Sequence, residues 1–139
     1  MKSLQILSIT LLLFCFGCNK NNDDDDNQSQ QQTNQQLLVS GKWYFQSKTP
    51  GSYTECEKKG YIQFMNNGTF NIDVFDDSSG SCESLGAVTA NYILSNGVNL
   101  TLMLGDESQS AVIDSISESQ LTITNSTEGE VILFDKTEG

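Results

Sequence analysis

Few side chains in this 139-residue sequence are equipped for chemistry, and the missing types narrow the field further. There is no histidine, and all seven basic residues are lysines. The chain therefore has neither an imidazole to move protons near neutral pH nor a guanidinium to clamp phosphate or carboxylate in two-point fashion. Ser-His-Asp and Cys-His catalysis, histidine-ligated zinc and arginine fingers are excluded. A formal net charge of −11 repels the phosphate backbone, so no nucleic-acid partner is expected. What remains is four cysteines, at 15, 18, 56 and 82, and the acidic pairs Asp76-Asp77 and Asp106-Glu107. Two carboxylates facing one cleft would suit glycoside hydrolysis. Each pair, however, stands beside serine or glycine in a turn-like stretch, where turn chemistry and solubility account for it. No catalytic residue, metal ligand or cofactor is assigned, and an enzyme is not expected.

The cysteines separate by position. Residues 1–18 carry a basic start at Lys2, an apolar run from Ile6 through Phe16 and then Gly17-Cys18, the layout of an export signal whose core is too short for an ordinary membrane span. Cys15-Phe16-Gly17-Cys18 resembles the lipobox of bacterial lipoproteins, in which the thiol after the cut is acylated. The resemblance implies that residues 1–17 are removed and that Cys18 carries lipid, anchoring the protein to a membrane without a spanning segment. From Asn19 to Gln36 there is no apolar side chain, and Asp23-Asp24-Asp25-Asp26 leads into a run rich in glutamine. Residues 18–36 are thus expected to be a disordered tether, dispensable for folding. An acidic stretch soon after the lipidated cysteine also resembles the surface-export signal of lipoproteins from Bacteroidetes-type bacteria, which implies an address at the outer membrane or cell surface. Cys56 and Cys82 then remain as two thiols in an exported domain and are expected to form a disulfide.

The elements that must position any site lie in residues 37–139. Short apolar runs alternate with polar residues and no window sustains a helical period, so the domain reads as all-β. Strands are expected at about 42–48, 59–65, 69–76, 86–94, 98–104, 110–116, 120–125 and 130–136. Asn66-Asn67-Gly68 and Ser95-Asn96-Gly97 suit three-residue hairpin loops. Those loops set Phe64 opposite Phe70 and Ile62 opposite Ile72, and likewise Leu94 opposite Val98, Tyr92 opposite Leu100 and Ala90 opposite Leu102. A two-residue loop would mix polar and apolar side chains on both faces and is rejected.

An eight-strand meander with one dry face closes as a barrel or folds as a sandwich, and closure removes the edge strands. Gly41-Lys42-Trp43, the stretch from Phe64 to Phe70, the paired cysteines and Phe134-Asp135-Lys136 resemble the lipocalin-like domains of bacterial lipoproteins. The resemblance implies an eight-stranded antiparallel up-and-down barrel. It also implies that Trp43 closes one end, usually under an arginine from the last strand. This chain has no arginine, so either Lys136 stands in or Trp43 is buried without a cation over it. The expected function is binding of a small apolar ligand in the interior by Trp43, Phe64, Phe70, Ile72, Val74, Tyr92, Leu100 and Leu102, with the protein a monomer. The alternative is an interaction module whose core is filled by its own side chains and whose outer surface meets a protein or polysaccharide.

Overall fold

The computed structural model describes residues 32–139. The signal segment, Cys18 and the tether as far as Gln31 lie outside the described residues. A short helix, α1 (Asn34–Leu38), precedes the strands β1 (Lys42–Thr49), β2 (Tyr61–Phe64), β3 (Thr69–Asp73), β4 (Phe75–Asp76), β5 (Glu83–Ser84), β6 (Val88–Ser95), β7 (Asn99–Leu104), β8 (Glu107–Ile116), β9 (Gln120–Asn125) and β10 (Val131–Asp135). Eight of these strands close into an antiparallel barrel in the order β1-β10-β9-β8-β7-β6-β3-β2, with β4 and β5 forming a separate ribbon. Each barrel strand pairs with its sequence neighbour, and β1 returns to β10 through pairs such as Tyr44 with Asp135. The expected all-β barrel is what the chain forms.

Alternation along the strands decides which side chains enter. Trp43, Ile62, Phe64, Phe70, Tyr92, Leu100, Ile113, Leu121 and Phe134 are buried together with Leu38, while the intervening positions face solvent. The first hairpin has the expected register, Phe64 with Phe70 and Ile62 with Ile72. The second is shifted by two residues: Leu94 faces Leu100 and Tyr92 faces Leu102. Asn96 and Gly97 both take positive φ, 53° and 72°, as a type I′ turn requires. Val98, expected opposite Leu94, becomes the extra residue after that turn, and its carbonyl accepts from the Ile113 N–H instead (2.8 Å). A shift of two keeps every side chain on its expected face.

Two further corrections concern the ends of elements. The strand expected at 69–76 leaves the barrel after Asp73 and continues as the ribbon β4–β5, where Phe75 pairs with Ser84. Cys56 and Cys82 form a disulfide at a Cα separation of 5.5 Å, tying this excursion to the 3₁₀ turn Glu57–Lys59 that leads into β2. In the chain-entropy account, closing a loop of this span contributes roughly 3 to 4 kcal/mol. The strand expected from about 59 starts at Tyr61, and Lys58 and Lys59 sit in the turn before it. Gly60 follows that turn because a Cβ there would meet the Phe45 ring at 2.9 Å and two backbone carbonyls at 3.0 Å.

Thr33 to Gln36, expected to be part of a disordered tether, are ordered. Thr33 caps α1 reciprocally: the Gln36 N–H donates to its hydroxyl (3.3 Å) and its own N–H donates to the Gln36 side chain (2.9 Å). Asn34 donates to the Gly97 carbonyl (2.9 Å), and Gln35 donates to the Tyr92 hydroxyl (3.1 Å). Leu37 and Leu38 are buried beneath. Thr33 to Gln36 therefore belong to the folded unit, which begins at Gln32.

Candidate functional site

The barrel interior divides into two halves along its axis. At one end are α1, the β2–β3 and β6–β7 turns and the C-terminal end of β10; at the other are the connections β1–β2, β3–β6, β7–β8 and β9–β10.

At the α1 end the barrel interior is filled by its own side chains. Trp43 has no exposed surface, and its indole N–H donates to the Leu38 carbonyl (2.9 Å). Phe64 stacks edge-on against Tyr92 with ring centroids 5.0 Å apart, and the Tyr92 hydroxyl donates to the Met65 carbonyl (2.9 Å). Lys136 takes the place over the tryptophan: its Nζ lies 3.3 Å from the Trp43 ring centroid, a cation–π contact. That Nζ is buried and has no hydrogen-bond partner among the described residues. Burial pushes the Lys136 ammonium down from 10.5 to about 8.

The sign of the resulting pH dependence follows from which state holds the proton more tightly. With the folded value below the unfolded one, the unfolded chain binds more protons between them, so this group's contribution to stability rises with pH from about 8 to 10.5. Denaturant midpoints of the wild type and Lys136→Met at pH 7.5 and pH 10 should show the wild type gaining on the variant at the higher pH. An unchanged difference would mean that the Trp43 π face offsets the loss of water around the ammonium.

Toward the other end the packing opens. Two adjoining pockets, of about 130 and 150 Å³, share Ile62, Ile72, Leu102 and Gln109 as walls. Phe70, Leu104 and Glu107 complete the first, and Phe45, Ile132 and Phe134 are among those completing the second. Leu104 and Glu107 are solvent-exposed, so the cavity reaches water beside the Gly105-Asp106 turn. β8 supplies its polar wall because Glu107, Gln109 and Ala111 alternate onto the inner face, opposite Leu104, Leu102 and Leu100 of β7.

Of the eight interior positions expected from sequence, Phe70, Ile72 and Leu102 line this cavity. Trp43, Phe64, Tyr92 and Leu100 are buried in the filled half and touch neither pocket. Val74 is 41% exposed, because the chain has already left the barrel there, and it is withdrawn from the interior set. The expected set lacked Phe45, Ile62, Ile132, Phe134, Glu107 and Gln109. A period of two carried from Ile113 back through Ala111 would have found Glu107 and Gln109, but polar residues interrupt the apolar pattern that marks a core face.

Comparison with known proteins now adds the family. Residues 39–123, more than half of the chain, match the family described as a lipocalin-like domain. The chain belongs to that family. No curated protein sequence matches it. Among solved structures, the lipocalin-like barrel is similar to an uncharacterized protein from Bacteroides eggerthii, with a TM-score of 0.54 and 14% identity over 71% of this chain and 99% of that one. It is likewise similar to a lipocalin-like protein from Bacteroides uniformis, with a TM-score of 0.52 and 17% identity over 71% of this chain and 98% of that one. At these identities the likeness is one of fold.

Proposed function

We propose that this lipocalin-like barrel is a lipid-anchored, exported binding protein, not an enzyme, that holds a small apolar ligand. The cavity at its open end carries the reading. Lipocalin-like folds commonly bind small hydrophobic ligands, and here Ile62, Phe70, Ile72, Leu102 and Phe134 offer apolar walls that reach solvent. The volume sets the scale. A pocket of about 150 Å³ is the size that accepts a single aromatic ring, and a long acyl chain would not fit within it. Binding without catalysis is supported by the chemistry available, since the chain has no histidine and both domain thiols are spent in a disulfide.

A neutral one-ring probe tests the reading. Toluene titrated into the full chain should bind saturably and shift the methyl resonances of Ile62, Ile72 and Leu102. Leu102→Ala, which trims a cavity wall, should cost clearly less than the 2 to 5 kcal/mol typical of a packed leucine. No toluene shifts, together with a full-sized loss at Leu102, would favour the filled barrel acting through its outer surface.

The anchor rests on the sequence from Lys2 to Cys18 and on the acidic run after it. A place at the outer membrane or cell surface follows from the same residues. Cys18→Ser should leave a longer precursor without acyl label. Normal processing and membrane association in that variant would refute lipidation.

A further inference from the structure

The charge around the cavity says which ligands it admits. Among the residues lining the two pockets Glu107 is the one charged side chain, and it forms no ion pair with a described residue. Gln109 stands two residues further down the same wall, able to donate or accept. All four connections at this end carry carboxylates, among them Glu57, Asp77, Asp106 and Glu128. Of the lysines there, Lys48 approaches Glu130 at 4.0 Å and Lys58 pairs with Glu55 at 2.7 Å, so two of the available cations are already engaged.

We propose that the cavity selects compact apolar molecules bearing an amine and rejects carboxylates, fatty acids included, with Glu107 and Gln109 meeting the head group at the mouth. This rests on the reading of the cavity as a ligand site and specifies its chemistry. An ammonium at the mouth gains a charge-assisted hydrogen bond to Glu107, whereas a carboxylate there meets a like charge with no cation on the wall to offset it. The surrounding carboxylates act at longer range, raising the local concentration of cations and lowering that of anions before contact. The same field is felt by Tyr53, whose phenol is pushed up first by burial and then by the charges of Glu130 and Glu57. Each of the two adjoining pockets has the volume of about one ring, and the wall charge favours a cationic head group.

Three probes of one shape separate the contributions: benzylamine, benzyl alcohol and benzoate, titrated calorimetrically into the full chain at low salt. Benzylamine should bind about tenfold or more tightly than benzoate, with the alcohol between them. That spread should shrink several-fold in Glu107→Gln and in high salt, since exposed charges are screened. Benzoate binding as tightly as the amine would overturn the proposal. If all three bind alike, the charge selection fails while the cavity stands as a ligand site. If none binds, both readings fall together.

Discussion

Trp43→Ala should destabilise the barrel by about 3 to 5 kcal/mol, among the largest effects expected of any single substitution in this chain. Three losses coincide at that position. The indole is fully buried, so its removal leaves a void that surrounding side chains fill only in part. The Leu38 carbonyl loses its donor, and the Lys136 ammonium loses its cation–π contact. Trp43→Phe restores most of the volume but not the hydrogen bond, and should recover more than half of the loss. Denaturant midpoints for the two variants check this. A Trp43→Ala cost below 1 kcal/mol would show that the indole does not hold this end shut.

Deleting Thr33 to Leu38 should be comparably severe, although four of the six residues removed are polar. Leu38 alone, with no exposed surface, is worth about 2 to 5 kcal/mol, and the stranded Trp43 N–H adds about 1 to 3. Asn34 and Gln35 contribute their bonds to Gly97 and Tyr92 besides. For a domain whose total stability is on the order of 5 to 15 kcal/mol, such a deletion should lower the melting temperature by tens of degrees. A melting temperature within a few degrees of the parent would return these residues to the tether.

The contrast between these two positions shows what the sequence could disclose. Trp43 was legible because Gly41-Lys42-Trp43 resembles the opening motif of lipocalin-like domains, and that resemblance, added to eight short strands, pointed to the barrel. Asn34 and Gln35 were not, because a polar side chain's partner 57 or 63 residues away leaves no trace in local composition. One local signal did exist: Thr33-x-x-Gln36 before Leu37-Leu38 is the pattern of a reciprocally capped helix start. The turn at Asn96-Gly97 exposed another limit. Polar turn residues fix the parity of a hairpin more surely than its register, since a loop with one bulged residue keeps the faces and moves the pairs. The candidate site was legible only in its apolar half. Phe70, Ile72 and Leu102 continued a recognisable stripe, whereas Glu107 and Gln109 broke one, and a residue that breaks a stripe looks like surface until the opposing strand is known.

The seam between β1 and β10 also has a temporal meaning. Every other pairing joins strands adjacent along the barrel meander, so most hairpins can assemble as soon as their own residues are free to move. The seam cannot. Tyr44 finds Asp135 only when nearly the whole domain is present, and Lys136 reaches Trp43 at the same step. Until the seam closes, β1 and β10 are bare edges able to pair with another chain. A chain emerging N-terminus first therefore holds its opening strand and its tryptophan in waiting until β10 and Lys136 complete the ring and lock it.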